Sequence, residues 1–258
     1  MDGKPEGILR ATVITIFPDL VRAFLSEGVL RLALEKRALE VGVVDLRDFS
    51  HDKHRTVDDS PFGGGPGMVL KPEPMFEALE SLSPESRGRL ILLSPQGRVF
   101  DQAMAGELAG SGAFTLIAGH YKAVDERVVE HFRPEELSIG DYVLSGGEMA
   151  AGVVLDAVAR LQPGVLNDFE SAAGDSFFEG VLDCAYFTRP ADFRGMRVPE
   201  VLLSGNHALI ERHRMKEALR RTLERRPDLL DKKTLTKEER RLLAEIRAER
   251  EPASGEGE

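Results

Sequence analysis

Eleven consecutive residues read Ser138-Ile139-Gly140-Asp141-Tyr142-Val143-Leu144-Ser145-Gly146-Gly147-Glu148. Gly140, Gly146 and Gly147 permit positive φ and let a ligand lie against bare backbone. Ile139, Tyr142 and Leu144 add apolar flanks, and Asp141 and Glu148 add carboxylates. Glu148 opens an apolar helical run, so the loop ends at a helix N-terminus with unpaired N–H donors. Such an entry can equally be a tight strand-to-helix turn, and glycines alone do not decide between the two. Ser94-Pro95-Gln96-Gly97 and Gly119-His120-Tyr121-Lys122 are two further runs of loop character.

Other chemistry-bearing residues cluster elsewhere. His51 to Asp59 holds two histidines and three aspartates, including His51, Asp52, His54, Asp58 and Asp59. A metal site is one reading, but a structural zinc needs a cysteine set or a ligand spacing that this run lacks. Gly63 to Gly67 could cradle a phosphate, yet no Lys-Ser/Thr follows as in a nucleoside-triphosphate loop. Arg212, Lys216 and Arg220 recur every four residues and so share one helical face. That face could track phosphates, although Glu211, Glu217 and Glu224 interleave with it. Arg160 ends a helical run, where it would complement the helix dipole. Asp175-Ser176 reads locally as a helix cap.

The elements that must carry these residues alternate. Short apolar runs at 12–17, 41–49, 89–93 and 113–118 read as strands. Helical patterns cover 19–40 with a break at Gly28, then 72–82, 101–109, 125–132 and 148–161. This alternation predicts an α/β domain with a mainly parallel sheet, whose ligands bind at the carboxyl ends of strands. All three glycine or serine loops fall at such ends. The stretch 51–68 is too long for a plain connector and is a candidate functional loop. Residues 163–180 lose periodicity. Asn206 caps a helix over 207–226 stopped by Pro227, and Thr236 with Glu239 makes a capping box for a helix to residue 250. The division expected is 1–165 α/β domain, 166–180 linker, 181–250 helical domain and 251–258 disordered tail.

Bulk properties narrow the class. The chain has 258 residues and net charge −10, yet residues 189–250 carry 17 Lys/Arg against 11 Asp/Glu, a local +6 beside −16 for the rest. A basic segment on an acidic body is the asymmetry of a protein that meets a polyanion with one part. The single Cys184 excludes an internal disulfide framework and suits a reducing compartment. No apolar run approaches a membrane span and no signal-peptide pattern opens the chain, so a cytoplasmic protein without membrane contact is expected.

Six strings together resemble the TrmD family of bacterial tRNA (guanine-N1)-methyltransferases, of the knotted SPOUT class. They are residues 51–59, Gly63-Gly64-Gly65-Pro66-Gly67-Met68, Leu93-Ser94-Pro95-Gln96-Gly97-Arg98, Asp125-Glu126-Arg127-Val128, the 138–148 stretch, and Leu202-Leu203-Ser204-Gly205-Asn206-His207. The resemblance implies a SPOUT-type α/β domain with a deep trefoil knot, a feature that pattern reasoning would not propose, plus a smaller helical C-terminal domain. It implies S-adenosylmethionine held by Ser94, Pro95, Gln96, Gly97, Gly119, Tyr121, Ser138, Ile139, Gly140, Tyr142, Leu144, Gly146 and Gly147. It further implies a homodimer with shared active sites and a tRNA substrate with guanine at position 37 preceded by guanine. Asp175 matches the family's general base and Arg160 the arginine assigned to guanine O6. His51, Asp58 and Asp59 would shape the RNA side of the pocket, with Arg212, Lys216 and Arg220 on the tRNA. The family's usual pattern has an acidic residue, linked to Mg²⁺ and the substrate guanine, and a glycine where this chain has Lys122 and Ala123. Mg²⁺ therefore stays open as a second cofactor. A catalytically silent tRNA-binding relative of the same fold is the alternative.

Overall fold

A computed structural model describes residues 7–166 and 174–250. The tail expected over 251–258, and residues 167–173 of the expected linker, lie outside the described residues. The chain divides into two compact units, Met1–Phe169 and Glu170–Glu258.

In the first unit the order is β1 (Leu9–Thr15), α1 (Pro18–Leu25), α2 (Gly28–Glu35), β2 (Leu39–Asp45), a 3₁₀ turn (Leu46–Phe49), β3 (Asp58–Asp59) and β4 (Val69–Leu70). There follow α3 (Pro72–Glu80), α4 (Pro84–Arg87), β5 (Arg89–Val99), α5 (Gln102–Ala109), β6 (Ala113–Ala118), β7 (Ala123–Val124), α6 (Glu126–Phe132), β8 (Glu135–Ser138) and α7 (Glu148–Ala159). The main sheet has the order β2-β1-β6-β5-β8, and every neighbouring pair in it is parallel.

Alternation along the strands sends side chains to two cores, as a strand's period of two requires. Val13, Leu116 and Leu93 pack with α1, α2, α5 and α7 on one face. Ile14, Ile117 and Leu92 pack with α3 and Val128 of α6 on the other. A parallel sheet covered on both faces reads as near-continuous apolar runs, and β6 is buried at every position. Helix α7 buries Ala150, Ala151, Val154, Leu155, Val158 and Ala159, in keeping with its Ala/Val-rich pattern.

Three expectations change. The helical pattern read over 19–40 breaks at Gly28 as expected, with φ +63° there, a conformation that costs a residue with a Cβ, but it stops at Glu35 and the chain from Leu39 is strand. The strand foreseen over 41–49 begins at Leu39 and ends at Asp45, where the 3₁₀ turn begins, capped by the Asp45 carboxylate, which accepts from Arg47 N at 2.9 Å. The 51–68 segment contributes β3, which pairs with β4, and β4 pairs in turn with β7.

In the second unit come a β9–β10 hairpin (Asp192–Phe193, Met196–Arg197), α8 (Glu200–Leu203), α9 (His207–Arg225), α10 (Pro227–Lys232) and α11 (Lys237–Arg250). Asn206 Oδ1 accepts from Leu209 N at 3.3 Å. Thr236 and Glu239 exchange reciprocal hydrogen bonds of 2.7 and 3.2 Å, the arrangement of a capping box. Leu219 of α9 packs with Leu242, Leu243 and Ile246 of α11 in a separate small core.

Candidate functional site

Strands β6, β5 and β8 are neighbours and run parallel, so their following segments emerge at one edge of the sheet. Beyond β6 come Gly119–Lys122, and beyond β8 the 139–147 loop. On β5, Leu93 and Arg98 both face Leu137 of β8. Ser94, Pro95, Gln96 and Gly97 are therefore a bulge extruded from a continuing strand, rather than the plain loop after a strand ending at residue 93. Bulges of this kind re-aim a strand beside functional sites.

The glycines are explained first by the protein's own close approaches. A Cβ on Gly97 would stand 2.3 Å from the backbone of Glu136 and Leu137. On Gly147 it would meet Ala118 Cα at 2.8 Å, and on Gly146 the His120 ring at 2.2 Å. Gly147 N donates to Gly119 O at 2.8 Å, and His120 and Gly146 form an isolated antiparallel bridge. Two of the three segments are thus laced backbone to backbone, which no larger residue would allow. The Ser138 Oγ accepts from Gly140 N at 3.2 Å and closes the start of its loop, while Tyr142 and Leu144 remain exposed.

Beneath these loops lies a trio that sequence reasoning missed. Glu148, 2% exposed, accepts a 2.7 Å hydrogen bond from Thr15 Oγ1, and its other oxygen is 3.8 Å from His120 Nε2. His120 Nδ1 is buried without a hydrogen-bond partner among the described residues. Residues 15, 120 and 148 are too far apart for any motif to join them. Only the parallel order of β1 and β6 brings them together. Glu148 therefore braces the helix entry from below.

The β3–β4–β7 sheet ties the 51–59 segment to the same edge. Lys122 N donates to Met68 O at 3.0 Å. Burial and the Asp58 carboxylate both push the Tyr121 phenol above its ordinary pKa, which sets Asp58 next to Tyr121. Tyr121 itself holds φ +60°, a strained conformation of the kind that collects at ligand sites. A Cβ on Gly67 would meet Lys122 Cγ at 2.8 Å, so the lysine stem lies across the glycine-rich loop. Asp59 pairs across the ladder with Val69. His51 Nε2 contacts Glu77 at 2.8 Å, and Asp52 is engaged by the amides of His54 and Thr56 at 2.7 and 2.9 Å. The aspartate serves as a turn anchor here, and no group of three or more His, Cys, Asp or Glu able to hold a metal occurs among the described residues.

Arg160 is the C-cap of α7, its N–H bonded to Asp156 O at 3.1 Å. Asp175 belongs to the second unit and stands in a run of turns over 174–180. No helix starts there among the described residues, so the local cap reading has no helix to cap. On α9 the three cations of the expected phosphate face are engaged within the protein. Arg212 grips Glu245 at 2.7 and 2.9 Å. Lys216 bonds Glu249 at 2.6 Å, and Arg220 bonds Glu249 at 2.7 Å and Glu217 at 3.1 Å.

S-adenosylmethionine can be tested against this donor set. The ligand is a sulfonium cation without a phosphate. Residues 138–148 contain no Lys or Arg, carry Asp141, and present exposed Tyr142 and Leu144 beside bare backbone. An anionic phosphate ligand would find no cation on that loop, whereas an adenine with a cationic amino-acid tail finds apolar flanks, backbone and a carboxylate. The residues suit the group.

An α/β unit with a bulged strand and close-packed loops at the carboxyl edge of a parallel sheet has the build of a ligand-binding unit. Over residues 9–232 the chain matches the family model described as tRNA (Guanine-1)-methyltransferase TrmD. It is 52% identical over 246 residues to a tRNA (guanine-N(1)-)-methyltransferase of Dehalococcoides mccartyi, covering 95% of this chain and 99% of that protein. Proteins of the same description from Brevibacillus brevis and Geobacillus kaustophilus are 53% and 50% identical, each over 94% of this chain and their full length. The chain belongs to the TrmD family of S-adenosylmethionine-dependent tRNA guanine-N1 methyltransferases. No helix among the described residues is long and apolar enough to cross a membrane.

Proposed function

We propose that the chain methylates N1 of guanine 37 in tRNA whose preceding base is also guanine, with Asp175 as general base and Arg160 facing guanine O6. Bound S-adenosylmethionine supplies an electrophilic methyl group on its sulfonium. The neutral N1 of guanine carries a proton and no free lone pair, so the proton must leave as the N–C bond forms. Asp175 takes it, a contribution worth roughly 10²–10⁴-fold. Losing that proton drives negative charge onto O6, where the Arg160 guanidinium stabilises it. The target base leaves its stack to reach the pocket, and His51, Asp58 and Asp59 shape the side it enters. Tyr121 beside Asp58 ties that side to the cofactor loops.

The single observation that carries this reading is the laced constellation of Ser94–Gly97, Gly119 and Ser138–Gly147 at one edge of the sheet. The active form is a homodimer in which each cofactor site receives Asp175 from the partner. Support for pairing comes from the first unit, where Leu20 of α1 and Met149 and Val153 of α7 leave apolar surface exposed. Exposed apolar surface of this kind marks association sites. A silent tRNA-binding relative draws only on Lys122 and Ala123 departing from the family pattern. One assay decides between them. Labelled S-adenosylmethionine is incubated with a guanine-37 transcript, with and without Mg²⁺, and the modified nucleoside is mapped. The expected product is 1-methylguanosine at position 37. No transfer, or methyl on another atom, contradicts the proposal.

A further inference from the structure

The second unit contains a cavity that the reaction above does not use. It measures about 330 Å³ and is lined by Tyr186, Phe187, Arg189, Leu203, Ile210 and Arg214. That volume falls within the roughly 300–1,000 Å³ of small-ligand clefts. Tyr186 is 65% and Phe187 51% exposed, unusual for adjacent aromatic residues in a unit with so small a core. The Arg214 guanidinium stands 5.7 Å from the Tyr186 ring centroid. The Tyr186 hydroxyl donates to Asp183 at 3.2 Å, which fixes the ring's tilt at the rim.

The charges on α9 separate into two sets. Arg212, Lys216 and Arg220 form one row, and all three are bonded to carboxylates. Ile210 and Arg214 lie two positions off that row, about 200° round the helix, on the side of the cavity. Among the described residues neither Arg189 nor Arg214 is ion-paired with a carboxylate. A phosphate approaching the first row must displace two short hydrogen bonds from Glu245 to Arg212 alone. At the cavity rim it has no carboxylate on Arg189 or Arg214 to displace among the described residues. Arginines not paired with carboxylates beside exposed aromatic rings are the combination that single-stranded RNA readers use, bases stacking on rings while guanidinium groups hold the flanking phosphates.

We propose that this cavity is a subsite for an unstacked nucleobase of the anticodon loop, stacked on Tyr186 and Phe187, with Arg189 and Arg214 on the flanking phosphates. The inference rests on the tRNA reading above and places the second unit's RNA contact on the face of α9 opposite its ion-paired row.

The test uses the full chain and an anticodon stem–loop transcript at fixed salt. Tyr186→Ala and Arg214→Ala should each weaken RNA binding about tenfold, while Tyr186→Phe, which keeps the stacking face, should weaken it less than Tyr186→Ala. Arg214→Ala should also lower the salt slope by about one. S-adenosylmethionine affinity and sedimentation should not move, and methyl transfer should show a raised KM for tRNA with kcat held. Independently of any variant, transcripts carrying 4-thiouridine or 6-thioguanosine at each loop position should crosslink to Tyr186 or Phe187 in the wild type. Unchanged RNA affinity in both variants, or crosslinks that map outside the cavity, overturns the proposal. So does loss of the dimer with RNA affinity intact, which would assign the cavity to contact between copies. A wild type that methylates guanine N1 while these results fail loses only the subsite. One that transfers no methyl to tRNA loses the functional reading itself.

Discussion

The loops of the first unit and the α9–α11 face of the second are both built from residues that stand out in the sequence, but they are held by opposite means. The loops are held by backbone meeting backbone, at Gly97 against β8 and Gly146-Gly147 against β6, with no room for adjustment. The α9–α11 face is held by long side chains paired across half-exposed surface, where each contact is weak and replaceable. Glycine spacing therefore announces a close approach directly. Charge spacing announces a face without saying whether the face is already occupied.

The most damaging way to break this contrast is at Gly147. Gly147→Ala puts a Cβ within 2.8 Å of Ala118 Cα, and overpacking of this kind costs about 1–3 kcal/mol. S-adenosylmethionine affinity, measured by calorimetry, should fall by roughly tenfold or more. Gly112→Ala at the far end of β6, with φ +79° and open space around it, should cost about 1–2 kcal/mol of stability and leave that affinity unchanged.

Glu148→Ala comes next. It leaves the Thr15 hydroxyl without its buried acceptor, which costs about 1–3 kcal/mol and should appear as a lower denaturant midpoint. Glu148→Gln keeps an acceptor for Thr15 and should lose less. Equal losses in the two variants would remove Glu148 from its bracing role.

Arg212→Ala should change stability by about 0.2–1 kcal/mol, the range of partly exposed pairs, and should shift RNA affinity less than Arg214→Ala does. The reverse order would return the RNA contact to the row of Arg212, Lys216 and Arg220.

The smallest effect is one of pH. Hydrogen bonds from Arg212 and Lys216 hold Glu245 below the ordinary carboxylate range, and those from Lys216 and Arg220 do the same for Glu249. A depressed folded pKa contributes stability that is present above the unfolded value of about 4.3 and is lost as pH falls through the folded value. Amide exchange from about pH 6 down to about pH 3 should show α11 losing protection before β1 and β6. Simultaneous loss would remove the ion pairs from the account.

Much of the architecture was legible from periodicity. The strands expected over 12–17, 89–93 and 113–118, observed as Leu9–Thr15, Arg89–Val99 and Ala113–Ala118, are near-continuous apolar runs because their sheet is covered on both faces. β8 was not legible. It is an edge strand that reads Glu-Glu-Leu-Ser and has one apolar side chain, so no period appears in its four residues. The two-residue strands β3, β4 and β7 are likewise below the length at which alternation can be seen. At the site, the three loops were readable as glycine and serine runs. The Thr15–His120–Glu148 trio was not, because partners contributed by β1, the β6 loop and α7 meet only through strand order. The α9 row was readable as a face. Its neutralisation was not, since Glu245 and Glu249, which occupy most of it, come from α11.

The central claim of the proposal is that Asp175 is the proton acceptor for methyl transfer to guanine N1. Asp175→Asn tests it most directly, with S-adenosylmethionine affinity, tRNA affinity and single-turnover methyl transfer measured on one preparation. The account predicts both affinities within about twofold of the wild type and a rate reduced roughly 10²–10⁴-fold. A variant that transfers methyl to guanine N1 at the wild-type rate would contradict it.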